Sequence, residues 1–200
     1  MIFPGSSLLH GRRVCAALAL VACVAAPAAS WAQQTVHIEG TAEDLCTLGV
    51  PEAGPGQQTN FDTPSGAVFS ITQLADPSSL TTLAANITLL LDATCNSVHR
   101  VVLTSDNNGL WRQGVSATTA GFGSAVPFQA NLSWAEQHYT LNADATVRQP
   151  MEESVLIGRP ASGQMQIEFQ INAGATNAGT GTPLLAGEYS DVLRVTVEPQ

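Results

Sequence analysis

Three histidines, a serine and an aspartate are the side chains that could take part in catalysis or metal binding. His99 or His138 could join Ser133 or Asp144 in a nucleophilic arrangement, because such arrangements are defined in space and not in sequence. His37, His99 and His138 show no metal-ligand spacing. The sequence lacks a Gly-x-Ser-x-Gly elbow, a His-Glu-x-x-His helix, a phosphate loop and a calcium loop. We therefore expect no enzyme, no metal site and no cofactor.

The first 32 residues have the pattern of an export signal. Arg12 and Arg13 precede an apolar run over residues 14–28, and Ser30-Trp31-Ala32 places small residues at a cleavage site. The run is too short for a transmembrane helix, so we expect an exported mature chain without a transmembrane segment. An alternative is a lipid anchor, because the residues up to Cys23 resemble a lipoprotein cleavage box.

Charge argues against nucleic acid as a partner. The 200 residues carry 16 Asp and Glu against 7 Lys and Arg, and all seven cations are arginine. Removal of the signal leaves five cations and a balance of −11, without a basic stripe. Phosphate binding needs a clustered basic surface, so nucleic acid is not expected to bind.

Two of the four cysteines remain after the signal is removed. Cys46 and Cys95 would most simply form one disulfide in an oxidising compartment, with two unlinked thiols as the alternative. Cys95 falls on the apolar face of an alternating run, so we expect its sulfur to be buried.

Apolar residues alternate with polar ones throughout the mature chain. The clearest runs cover residues 84–95, 128–134, 164–171 and 193–198. This period of two is typical of half-buried antiparallel strands, and no stretch shows a sustained helical period. The pattern predicts an all-β chain, most simply a two-sheet sandwich.

Turns separate these runs at glycine, proline and asparagine. Asn108-Gly109 lies between two apolar segments and predicts a hairpin turn. Glu152-Glu153 is not a catalytic pair, since neighbouring strand residues point to opposite faces, and we expect a solvated loop there.

The two ends of the mature chain both alternate. Residues 35–43 place Val36, Ile38, Gly40 and Ala42 on one side, and residues 189–197 form a strongly apolar final strand. We expect a hydrophobic cleft beside Leu193, Val195 and Val197, because the edge of that strand has no obvious cover.

Four segments together resemble the spore coat protein U domain, which the subunits of archaic, Csu-type chaperone-usher pili share. They are Cys46-Thr47-Leu48-Gly49, Asn60-Phe61-Asp62, Ala93-Thr94-Cys95 and the terminal run over residues 186–197 with its Gly-x-Tyr-x-Asp pattern. The likeness extends over residues 35–197.

The resemblance implies an incomplete immunoglobulin-like β-sandwich that is completed by donor-strand exchange. Residues 1–32 would be the signal peptide, residues 33–43 the N-terminal donor-strand extension and residues 44–200 the pilin domain. Val36, Ile38, Gly40 and Ala42 would enter the groove of a neighbouring pilin. The acceptor edge would contain Tyr189, Asp191, Leu193, Val195 and Val197, beside the strand leading to Cys46. The family also pairs the two cysteines.

The implied function is a structural subunit of a secreted pilus for surface adhesion or biofilm. Its partners would be a periplasmic chaperone, an outer-membrane usher and neighbouring subunits, and it would pass through the periplasm to the cell surface. The small Gly40 and Ala42 favour a minor subunit over the main one. Two alternatives stay open: residues 35–43 could pair in cis as a first strand, or the chain could be a monomeric or lipid-anchored surface, coat or ligand-binding protein.

Overall fold

The computed structural model describes residues 34, 36–55, 58–62, 65–114 and 119–200. The chain divides after Thr41 into two compact units. The described residues of the first unit, 34 and 36–41, form no strand. The signal segment and its lipoprotein-like box lie outside the described residues.

The described part of the second unit folds into twelve strands and no helix. The strands are β1 Cys46–Leu48, β2 Glu52–Ala53, β3 Ala85–Cys95, β4 His99–Ser105, β5 Leu110–Arg112, β6 Ala125–Val126, β7 Phe128–Trp134, β8 Gln137–Ala143, β9 Met151–Ile157, β10 Ala161–Ile171, β11 Tyr189–Ser190 and β12 Leu193–Pro199. The predicted all-β class is confirmed, and the four alternating runs correspond to β3, β7, β10 and β12.

The strands form three antiparallel sheets in a sandwich-like arrangement. The largest has the order β1-β3-β10-β7-β8, with β2 also paired to β3. The second has the order β12-β4-β9, and the third, smaller sheet has the order β11-β5-β6. Period-two alternation explains this packing, since it gives each long strand one apolar face toward the core.

The core consists of those apolar faces. Ile87, Leu89 and Leu91 on β3 belong to the same buried cluster as Val101 and Leu103 on β4. A disulfide joins Cys46 to Cys95, and Cys95 is 1% exposed, so the expected pairing and its burial are confirmed. The bridge connects the first strand of the domain to the end of β3, one of its two longest strands.

Two local predictions are wrong. β4 and β5 do not form a hairpin around Asn108-Gly109, because β4 pairs with β9 and β12 whereas β5 pairs with β6 and β11. Asn108 and Gly109 do have positive φ values of 55° and 133°, but they turn the chain from one sheet into another. Glu152 and Glu153 lie in β9 and not in a loop, since the edge of β4 supplies backbone partners for the whole segment.

The final apolar run is also interrupted. Tyr189 and Ser190 pair with β5, and β12 begins only at Leu193. Asp191 and Val192 lie at the corner between these two strands. What the sequence predicts as one strand is therefore two strands that belong to different sheets.

Candidate functional site

An open, mainly apolar cleft of about 930 Å³ lies along β12. Its floor includes Ile87, Leu89 and Leu91, the inward-facing residues of β3. Leu48 and Pro51 line it on the side of β1, and further apolar lining residues are Phe61, Val68, Phe69, Ile71, Leu74, Leu110, Phe128, Ile167 and Phe169. Side chains of the kind that fill the core of a closed sandwich therefore line an open cleft in this protein.

The other side of the cleft is formed by β12 itself. Of the five predicted acceptor residues, Tyr189, Asp191, Leu193 and Val195 line the cleft, whereas Val197 does not. Leu193, Val195 and Val197 are only partly buried, although their respective partners on β4, Ser105, Leu103 and Val101, are 0% exposed. The apolar face of β12 is therefore incompletely covered.

One backbone edge of β12 is also unpaired within the described ranges. β12 pairs with β4 through all seven of its residues, and no described strand pairs with its other edge. An edge strand with free N–H and C=O groups is a template for another strand. Because an apolar cleft adjoins this edge, an added strand could form backbone hydrogen bonds and bury side chains at once.

The sheet order shows which position such a strand would take. In immunoglobulin-like sandwiches strands A, B, E and D form one sheet and C, F and G the other. Here β1, β3, β10 and β7 follow the order A-B-E-D, and β4 beside β12 corresponds to C beside F. An added strand on the other edge of β12 would occupy position G.

Tyr189 supports the assignment of β12 to position F. Its hydroxyl donates a hydrogen bond of 2.7 Å to the carbonyl of Leu185, four residues upstream. A tyrosine that bonds back to the backbone near the start of strand F is the tyrosine corner of such sandwiches, and Tyr189 makes this bond from β11, four residues before β12 begins. Burial raises the pKa of the Tyr189 hydroxyl, although the nearby charge of Arg112 opposes this shift. The neutral, donating form is thereby favoured.

Charged groups are arranged at the corner before β12. The Asp191 carboxylate accepts hydrogen bonds from the backbone N–H of Asn107 and of Val192. This residue of the predicted strand-accepting edge therefore holds the corner together through hydrogen bonds and not through apolar contact. Arg194 donates to Asp106 at 2.7 Å and holds the pKa of that carboxyl below its ordinary value. These contacts fix the direction in which β12 leaves the corner.

The predicted donor segment is open to solvent where it is described. Val36 is 76% exposed and Ile38 is 92% exposed, and Gly40 and Ala42 are exposed as well. Residue 35 lies outside the described residues. Residues 36–43 form no strand, so a pairing of this segment in cis is not observed among the described residues.

The sequence did not point to several residues that line the cleft. Phe61 and Ile71 form an isolated antiparallel bridge, and Phe61 packs edge-on against Phe169 with ring centroids 5.9 Å apart. The segment that carries Phe61 and Ile71 is rich in Gly, Ser and Thr and lacks alternation. Its spaced aromatic and aliphatic residues were the only signal that it could cover a core.

The candidate catalytic residues do not assemble. Ser133 and His138 form a hydrogen bond of 2.8 Å, but they are cross-strand partners on β7 and β8, and His138 is exposed. His99 is fully buried, its Nδ1 donates to the Ser97 carbonyl at 2.8 Å, and its ring packs on Trp134. Asp144 instead binds Asn108 and Thr146.

The described residues contain neither a metal-binding cluster nor a membrane-spanning helix. No group of three or more His, Cys, Asp or Glu side chains in that part of the chain could hold a metal ion. Among the same residues, no helix is long and apolar enough to cross a membrane.

No protein-family model matches the chain, and no curated protein matches it either. The cleft and the free edge of β12 therefore carry the functional inference.

Proposed function

We propose that this chain is a structural subunit, and a minor one, of a secreted chaperone-usher pilus of the archaic, Csu type, with a spore coat protein U domain. A β-strand from a neighbouring subunit enters the cleft beside β12 and completes the sandwich, and this chain offers residues 33–43 to another neighbour. The single observation that carries the proposal is the apolar cleft beside the unpaired edge of β12.

Three physical properties make this contact suitable for a fibre. Backbone pairing along β12 supplies affinity, and alternate side chains that enter the core supply register. Because the strand of one subunit finishes the core of the next, dissociation requires the core to open, which makes release slow. The contact is head-to-tail and does not close on itself, so repetition gives a filament.

The proposal assigns the chain to the periplasm and then to the cell surface. During export a periplasmic chaperone covers the cleft, and an outer-membrane usher organises the exchange for a subunit strand. No catalytic step is part of this function. The Ser133–His138 pair is consistent with this role, since His138 is exposed and neither side chain forms a hydrogen bond to a carboxylate among the described residues.

A strand fused to the chain tests whether the sandwich is unfinished. We would add, after Gln200, a flexible linker and a short strand with isoleucine at alternate positions. Burial of two or more large side chains should raise the unfolding temperature by roughly 10 °C or more. The matched control carries serine at those positions and should leave it unchanged. Equal unfolding temperatures for both fusions would contradict the proposal.

A substitution in the donor segment tests assembly. Ile38→Asp should reduce incorporation of the chain into surface fibres, measured by immunogold labelling, because a carboxylate cannot enter an apolar groove. The unfolding temperature should not change, since Ile38 is 92% exposed. Thr41→Asp adds the same charge on the other face and is the control. Normal incorporation of the Ile38→Asp chain would count against the donor role.

A further inference from the structure

One side chain holds the backbone just before β1 at the end of β3. The amide of Asn96 accepts a hydrogen bond of 2.7 Å from the backbone N–H of Leu45 and donates one of 2.8 Å to the carbonyl of Glu43. It thus supplies one donor and one acceptor to this backbone, as a neighbouring strand does. The backbone N–H of Asn96 donates a third bond, of 3.1 Å, to the carbonyl of Leu45. Residues 43–45 therefore continue the line of β1 beyond the Cys46–Cys95 pair.

The cleft lies in the opposite direction along the same strands. The last residue of β3 that lines it is Leu91, whereas Asn96 follows the end of that strand. β1 runs from Cys46 to Leu48, and Leu48 lines the cleft. Because β1 runs toward the cleft, the backbone that precedes Cys46 in line with β1 leads away from it.

The length of the N-terminal segment does not keep it out of the cleft of its own chain. Residues 34–42 would extend over about 30 Å at a rise of about 3.3 Å per residue. On the same basis β12, Leu193–Pro199, measures about 20 Å between its first and last residues. The segment could therefore reach its own cleft if the chain reversed before β1. The hydrogen bonds of Asn96 oppose that reversal, since they hold residues 43–45 in line with β1.

We infer that Asn96 is a positioning residue for assembly, which keeps the N-terminal segment out of the cleft of its own chain and available to a neighbouring subunit. The inference rests on the proposed function, because it requires a cleft that accepts a strand. Without the Asn96 amide, Val36 and Ile38 could enter the cleft of the same molecule. A chain closed in this way would neither accept a strand from one neighbour nor offer one to another.

Binding of a peptide to the purified, oxidised chain tests this role. The probe is a fluorophore-labelled strand with isoleucine at alternate positions. Asn96→Ala should weaken its binding by about threefold or more, which corresponds to a cleft that is occupied by its own segment in about two thirds of the molecules. Ser97→Ala removes a hydroxyl that donates to the carbonyl of Val98 in the same turn, and this control should bind the peptide as the natural chain does.

A second substitution distinguishes occupancy of the cleft from damage to it. Asn96→Ala combined with Ile38→Asp should regain the affinity of the natural chain, because a carboxylate does not enter an apolar cleft. Restored binding in this double variant supports the positioning role of Asn96. Unchanged binding in Asn96→Ala contradicts that role, and so does weak binding that Ile38→Asp does not restore.

Two further outcomes separate the inference from the proposed function. If Ile38→Asp alone tightens binding of the peptide, the segment already enters its own cleft in spite of Asn96. The inference is then wrong, and the strand-accepting function stands. If the peptide binds to none of these chains and the fused isoleucine strand has no stabilising effect, the proposed function itself is wrong.

Discussion

Asp191 holds Asn107 through two hydrogen bonds, one from the backbone nitrogen at 2.9 Å and one from the side-chain amide at 3.0 Å. The same carboxylate accepts from the backbone N–H of Val192 at 2.7 Å and from the hydroxyl of Ser105. One side chain thus ties the corner before β12 to the turn that follows β4. Because that corner sets the path of β12, Asp191 positions one side of the cleft.

Asp191→Asn should destabilise the protein. An amide nitrogen replaces one accepting oxygen, so at least one donor around the corner loses its partner, at a cost of about 1–3 kcal/mol. Urea unfolding of the oxidised protein measures this change. Glu188→Gln makes the same conversion of an acid to an amide at an exposed position and should change stability by less than about 0.5 kcal/mol. Similar values for both variants would contradict the anchoring role.

Two tyrosines provide a matched comparison. The Tyr189 hydroxyl donates to the Leu185 carbonyl, so Tyr189→Phe should cost roughly 1 kcal/mol in the free energy of unfolding. The buried hydroxyl of Tyr139 has no hydrogen-bond partner among the described residues, so Tyr139→Phe should be neutral or stabilising. Denaturant midpoints at neutral pH distinguish the two. A larger loss of unfolding free energy in Tyr139→Phe than in Tyr189→Phe would contradict the stabilising role of the Tyr189 hydrogen bond.

The same burial predicts a loss of stability in alkali. Burial raises the pKa of both tyrosines in the folded protein. Their contribution is fully present below the unfolded pKa of about 10 and is lost as pH rises above it. The unfolding temperature, followed from pH 8 to pH 11, should fall above about pH 10. The unfolding temperature of the Tyr139→Phe variant should fall less steeply over the same range. An identical slope in that variant would show that another group is responsible.

Reduction of the Cys46–Cys95 bridge should lower stability by about 4 kcal/mol, because the loop it closes spans a sequence separation of 49 residues. Urea unfolding with and without reductant measures the difference. Treatment of the oxidised protein with an alkylating agent alone is the control and should have no effect. A loss below about 1 kcal/mol would mean that the unfolded chain is constrained by other means.

Acid should destabilise the fold through aspartates that accept hydrogen bonds in turns. The backbone N–H of Ser79, followed by that of Ser78, holds the pKa of Asp76 below its ordinary value, and Thr146 does the same for Asp144. The stabilisation is present above the unfolded pKa of about 4 and is lost as pH falls through the lower folded value.

Asp76→Asn tests this directly. The variant keeps an accepting oxygen but cannot be protonated, so its unfolding free energy should fall less steeply below about pH 4. Ser79→Ala removes the hydroxyl donor and leaves both backbone donors. It should therefore reduce the loss of unfolding free energy in acid by less than Asp76→Asn does. Urea unfolding between neutral pH and pH 3 provides the measurement. Parallel curves for Asp76→Asn and the natural chain would exclude Asp76 as a source of the acid dependence.

The long strands could be predicted because their signal is local. In β3 every second residue from Ala85 to Cys95 is buried, and that pattern is written in the sequence itself. β9 could not be predicted, because Met151–Ile157 is mostly exposed and pairs through its backbone with β4. The sequence predicts the wrong pair of strands around the turn at Asn108-Gly109, because the turn is held by Asp144 and Asp191, which are distant in sequence.

The all-β class and the apolar character of the final strand follow from local periodicity, because each strand records which of its faces is buried. The two cysteines left after the signal identify Cys46 and Cys95 as the candidate disulfide, and the structure shows that they are joined. That β11 and β12 belong to different sheets, and that Phe61, Phe69 and Ile71 line the cleft with Leu193, is visible in the folded protein alone. Such relationships depend on long-range contacts, which bring residues from separate segments together after the sheets have packed.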